Sequence, residues 1–245
     1  ALAGVRSYLE GIRQSHVVLS DSDLIINIPL QDVYQSHLSS GADITAVCTT
    51  NSGVCEDATH FRLDGEGRVR EVLTNLRDTT GCHRALEIYI LSKELLLQLV
   101  DQCVSHDQFS FRSAVLQGQT DTLTIGSYVW DGYAAQIRSL KEYYDRSLEL
   151  LDTSIRREVF HPQRPIHTKE RNDASTYVDP DGGCCNCLVA DGCTIEGSVE
   201  NSILFRGVSV ARGAQVKNCI LMQDTAVGRD AVLHHVIADK NVQIM

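Results

Sequence analysis

The chain has 245 residues, 43% of them apolar and 22% charged, and a formal net charge of -10. That is enough apolar material for one large or two ordinary domains. The acid excess leaves no basic surface able to neutralise a polyphosphate backbone, which excludes nucleic acid as an expected partner and requires any anionic ligand to be met by a few placed Lys or Arg.

From the start, "ALAGVRSYLE" has the apolar spacing of an amphipathic helix (Val5, Tyr8, Leu9, Ile12) and lacks the layout of a signal peptide. With no initiator Met, it reads as the start of an incomplete chain. No apolar run approaches the ~20 residues of a membrane span, so no membrane partner is expected and the expected location is the cytoplasm. "HVVLS" reads as a strand, "PLQDVYQSHLSSG" as a helix with Pro29 in its first turn and Gly41 as its stop, and "DITAVCTT" as a second strand, together a βαβ unit. "LEIYIL" follows as a strand, then "SKELLLQLVDQC" as a helix capped by Ser92, then the strand "DTLTIGS". A mostly parallel sheet covered on both faces is expected. "AAQIRSLKEYYDRSLELLDT" places Ile137, Leu140, Tyr144, Leu148 and Leu151 on one helical stripe and closes the domain.

Residues 152–182 read as a connector, holding three of the four prolines (Pro162, Pro165, Pro180). From Leu188 onward apolar residues recur about every six positions, with Gly, Asp and Asn between them. Antiparallel hairpins recur at roughly 8–12 residues, so the shorter period points to a left-handed parallel β-helix of hexapeptide units. The expected division is 1–151 for an α/β domain, 152–182 for the linker and 183–245 for the β-helix. A solenoid with open ends is expected to form oligomers, and Leu204 is a candidate outward apolar contact.

Of the nine cysteines, Cys48, Cys55, Cys82, Cys103 and Cys219 lie among apolar neighbours, as reduced buried thiols do. Cys184 and Cys187 form a C-x-x-C pair with Cys193 beyond it, but no second pair is spaced for zinc, and His234 and His235 are adjacent.

The α/β region, N-terminally incomplete, followed by hexapeptide repeats resembles the sugar-nucleotide pyrophosphorylases, whose first domain is a Rossmann-like nucleotidyltransferase fold. The segments "SDSDLIINIPLQDVYQSHLSSGADITAV", "RPIHTK", "NCLVADGCTIEGSVENSILFRGVSV" and "ADKNVQI" narrow this to the ADP-glucose pyrophosphorylase (glucose-1-phosphate adenylyltransferase) family. The resemblance implies reaction of ATP with glucose 1-phosphate to ADP-glucose and pyrophosphate, in glycogen biosynthesis, with Mg²⁺ neutralising the leaving group. Asp23 falls on the metal aspartate of the family's Gly-Asp-His, with Ser22 and Leu24 in place of its neighbours. Asn75 falls on the lysine that grips the sugar phosphate, Gln136 on the second metal aspartate, and Glu87 on the glycine of Ser-Met-Gly near the sugar. Asp131 is the alternative second acid, in a register that breaks the helix match. The glycine-rich triphosphate loop is not in the sequence.

An amide is a poor Mg²⁺ ligand and a neutral Asn cannot replace a cation. The expected role is therefore a non-catalytic, regulatory subunit beside a catalytic one, binding no Mg²⁺ of its own. Lys240 of "ADKNVQI" falls on the family's basic residue at an anionic effector site, with Arg164 and Arg206 as candidate companions for a sugar-phosphate or nucleotide effector. Two alternatives stand beside this: an active nucleotidyltransferase with atypical ligands, and a hexapeptide acyltransferase using His234 or His235, of which one is expected to face solvent and the other to pack.

Overall fold

A computed structural model describes residues 4, 6–50, 58–74, 76, 78–106, 110–169 and 171–245. Asn75 and Cys55 lie outside the described residues. The chain forms two compact units, 1–24 with 28–134 and 25–27 with 135–245.

The first unit is α/β. It contains α1 (Arg6–Gly11), β1 (His16–Ser20), α2 (Leu30–Ser40), β3 (Ile44–Thr49), β4 (Thr59–Leu63), β5 (Val69–Thr74), β6 (His83–Ser92), α3 (Lys93–Ser105), a π-helical turn (Arg112–Gln117) and β7 (Ile125–Val129). The helix signals act as expected. Ser92 Oγ accepts from the Leu95 N–H at the start of α3, and Gly41 ends α2 at φ 63°.

The sheet, however, is mixed and not mostly parallel. Its order is β5-β4-β6-β3-β7, with β1 also on β6. Strands β1 and β3 both run antiparallel to β6, and only β3–β7 is parallel. The βαβ reading placed β1 and β3 in the same direction, and they do share it. The ten-residue β6 lies between them, a long-range pairing that leaves no local trace. From its buried run, Ala85, Tyr89 and Leu91 pack with Ile44, Phe61, Leu96 and Ile125 in the core.

The second unit is a left-handed parallel β-helix with two helices before it. Short strands β2 (Leu24–Ile26) and β8 (Ala134–Gln136) pair where the chain passes between units. The single stripe expected from Ile137 to Leu151 is shortened: Ile137 lies between β8 and the helix, and Ser139 caps α4 (Leu140–Glu149) by accepting from the Glu142 N–H. Leu140 is exposed. Within the expected connector a further helix forms, α5 (Thr153–Val159), because Asp152 accepts from the Ser154 N–H as an N-cap. Both helices belong to the second unit, so the break falls at 134/135 and not at 151.

The solenoid begins at β9 (Tyr177–Val178), ahead of the expected 183. It continues through β10 (Gly183–Cys185), β11 (Leu188–Val189), β12 (Thr194–Ile195), β13 (Ser198–Glu200), β14 (Ile203–Leu204), β15 (Ser209–Val210), β16 (Gln215–Lys217), β17 (Ile220–Leu221), β18 (Ala226–Val227), β19 (Val232–His234) and β20 (Ile237–Ala238) to β21 (Gln243–Ile244). Strands stack in three parallel sheets. The inward column Val199–Val216–Leu233 is set by their register. Leu204 is an inward residue, fully buried, and Ile203 takes the outward position. It offers no surface contact, a correction that follows from the period-2 alternation of a strand.

One corner column consists of Asn186, Asn201, Asn218 and His235, all at positive φ. Asn186 donates to Asn201 Oδ1 at 2.8 Å, and Tyr144 of α4 donates to the Asn218 carbonyl at 2.7 Å. His234 and His235 are both exposed, one outward on β19 and one at this corner, so neither packs in the interior as expected.

Candidate functional site

The singular feature of the α/β unit lies where β6 bulges. Pairing of β3 with β6 shifts between Val47↔Ile88 and Cys48↔Ala85, leaving Leu86 and Glu87 as extra residues on β6. Glu87 adopts φ 52°. An L-residue with a long side chain pays about 1 kcal/mol or more in this region, and here three contacts hold it. Its carboxylate accepts from Thr59 Oγ1 at 2.8 Å and from the Tyr89 hydroxyl at 2.6 Å, and faces Arg112 Nη2 at 3.4 Å. Glu87 is 7% exposed and Tyr89 4%. Burial, reinforced by the Glu87 carboxylate, pushes the Tyr89 phenol well above its ordinary value, so it remains a donor.

These groups open onto a cleft of about 410 Å³ at the end of β1, walled by Leu19 and Phe111 and bordered by Asp21. The Asp21 N–H reaches the Glu87 carbonyl at 3.3 Å. Asp21 is exposed, Asp23 half-buried and Leu24 half-buried beyond it. Gln136 is buried at the end of β8, in the second unit, and Asp131 is exposed. Among the described residues, no group of three or more His, Cys, Asp or Glu side chains could hold a metal ion.

The candidate effector cations lie in the second unit. Register along β14, β17 and β20 is Ile203↔Ile220↔Ile237, so Arg206, Gln223 and Lys240 occupy one corner column. The Asp224 N–H bonds to Arg206 O and the Asn241 N–H to Gln223 O in the same ladder. With coils about 4.8 Å apart, Arg206 and Lys240 are separated by about 10 Å along the axis. Lys240 is exposed, its N–H on Asp239 Oδ1, while Arg206 faces Asp173 at 3.7 Å. Arg164 is placed differently. Its Nε donates to Asn27 O and Oδ1, and Asn27 Nδ2 donates back to Arg164 O and Val159 O. That clamp engages part of its guanidinium in holding the turn after α5.

Sequence reasoning placed Glu87 beside an anion position but missed its partners. Thr59, Tyr89 and Arg112 come from β4, β6 and the π-helical turn, and no local motif links them.

The fold and this cleft define a class: an α/β unit of nucleotide-enzyme type joined to a hexapeptide-repeat β-helix. Residues 173–245 match the family described as GlmU-like, C-terminal hexapeptide. The chain is 35% identical over 97% of its length to the "Glycogen biosynthesis protein GlgD" of Bacillus subtilis, covering 60% of that protein. It is 32% identical to the protein of that name from Geobacillus stearothermophilus, over 83% of this chain and 50% of the relative. Against the "Glucose-1-phosphate adenylyltransferase" of Acetivibrio thermocellus, identity is 21% over 97% of this chain and 57% of the relative. The chain spans 50–60% of the length of these relatives, and along the residues it spans it is similar to them. Among the described residues no helix is long and apolar enough to cross a membrane.

Proposed function

We propose that this chain is part of a regulatory, catalytically degenerate subunit of glucose-1-phosphate adenylyltransferase, acting in the cytoplasm beside a catalytic subunit in glycogen synthesis. The observation that supports it most is Glu87, a buried carboxylate where the resemblance places a glycine next to the sugar phosphate. Gln136 in place of a metal carboxylate agrees, and in this reading the chain holds no Mg²⁺. The subunit's contribution is linkage: an anionic sugar-phosphate or nucleotide effector, met by Lys240 and Arg206 in one corner column, favours one arrangement of the assembly over another.

The test is ADP-glucose formation by the full-length protein, alone and mixed with a catalytic homologue, with and without sugar-phosphate effectors. The expected result is no product alone and a stronger effector response in the mixture, reduced at least several-fold by Lys240→Ala. Restoring Asn75→Lys and Gln136→Asp should raise activity only modestly, since Glu87 remains. Turnover by the unmodified protein alone at an ordinary enzyme's ~10 per second overturns the reading and favours the active nucleotidyltransferase.

A further inference from the structure

We propose that Glu87 is a tethered anion filling an oxyanion site of the α/β unit, so that its cleft is built for a phosphate-like group and closed to one by the chain's own carboxylate. The consequence for catalysis rests on the regulatory reading above; the anion site itself does not.

Three donors of different chemistry meet at this carboxylate: a hydroxyl from β4, a phenol from β6 and a guanidinium from the π-helical turn. Thr59 and Tyr89 are nearly inaccessible, at 1% and 4% exposure, so their hydroxyls would lose all bonding if the anion were simply deleted. Such a set suits any compact oxyanion, because each donor addresses an oxygen and none reads the carbon behind it. The backbone points the same way. Position 87 takes a conformation natural to glycine and strained for glutamate. The side chain occupies the site at the cost of its own backbone geometry, which is why removing it relieves strain while vacating the donors.

The cleft gives an exogenous group a way in, since Glu87, Tyr89 and Arg112 line it together. Among the charged lining residues, Asp21 and Glu87 outnumber Arg112, and the wall therefore repels anions. Without Glu87 the charges of the remaining Asp21 and Arg112 balance, and the wall no longer repels an anion.

The experiment is titration of full-length protein with inorganic phosphate, followed by calorimetry, for the wild type, Glu87→Gly and Glu87→Asn. Gly fits the left-handed backbone freely, and Asn tolerates it with an amide too short to reach all three donors. Circular dichroism checks folding. The expected result is no phosphate binding by the wild type and millimolar or tighter binding by both variants. Adding Arg112→Ala should weaken that binding at least tenfold, and Asp21→Asn should strengthen it. Folded variants that bind no phosphate overturn the proposal, as do wild-type binding of equal strength and binding indifferent to Arg112. If neither variant folds, Glu87 is a structural staple and the proposal is equally overturned.

Discussion

The two units use the left-handed backbone in opposite ways. In the β-helix, Asn186, Asn201, Asn218, Asp224, Asp230, His235 and Asn241 take positive φ at corners repeated from coil to coil. Most are Asn or Asp, whose short polar side chains tolerate that region. In the α/β unit Glu87 is the non-glycine residue among those described that does so, and it is held by Thr59, Tyr89 and Arg112. A repeat spreads structural information over columns, so each position is corroborated by its neighbours above and below. A single site concentrates it in contacts between segments far apart in sequence.

The largest expected effect tests the column logic with one residue type on two faces of one sheet. Val216 is 1% exposed and Val232 63%. Val216→Asp buries an unpaired carboxylate among Val199, Leu233 and their neighbours and should destabilise the β-helix by about 4 kcal/mol or more. Val232→Asp should stay within about 0.5 kcal/mol. Urea denaturation of both variants measures the difference, and equal losses would contradict the assigned register.

That contrast also explains what could be read from the sequence. The six-residue period is local, so the β-helix was legible down to its outward and inward alternation, but its phase at Leu204 was not, because "SILF" offers apolar residues to both faces. Ser92 and Gly41 were legible as helix ends since caps act over three or four residues. The insertion of β6 between β1 and β3 and the gathering of Thr59, Tyr89 and Arg112 around Glu87 were not. Those depend on pairings tens of residues apart. Asp152 was a readable N-cap, but the prolines that follow α5 drew the segment toward a connector reading.

A smaller effect separates two glycines by what surrounds them. Gly41 has open space where a Cβ would lie, whereas at Gly213 that atom would run into Asp230 Oδ1 of the next coil. Gly41→Ala should cost about 1 kcal/mol, the backbone penalty alone. Gly213→Ala carries that penalty and must also displace Asp230 from its stacked corner, so it should cost about 2 kcal/mol. Equal midpoints in thermal melts of the two variants would show that the corner stack yields without resistance.

The smallest effect concerns protons, and again the units differ. The β-helix exposes His234 and His235, while the α/β unit buries His37 and His60. His37 Nδ1 lies 2.8 Å from Thr45 Oγ1, with the His16 ring 5.3 Å away and Tyr34 against that ring. Burial lowers the His37 pKa, His16 lowers it further, and Asp43 opposes this. Burial likewise lowers His60, with Arg84 adding to it and the Ala58 carbonyl opposing. A histidine whose folded pKa lies below its unfolded value of about 6.5 binds more protons when unfolded. Stability of the α/β unit is therefore full above that value and declines as pH falls below it, toward the lowered folded values. The single tryptophan, Trp130, lies in this unit, so its fluorescence in urea isolates the right transition. The midpoint should fall between about pH 7.5 and about pH 5.5, and His37→Gln should flatten the slope by removing one of the two groups. A midpoint independent of pH across that window would mean that these imidazoles reach water before the unit unfolds.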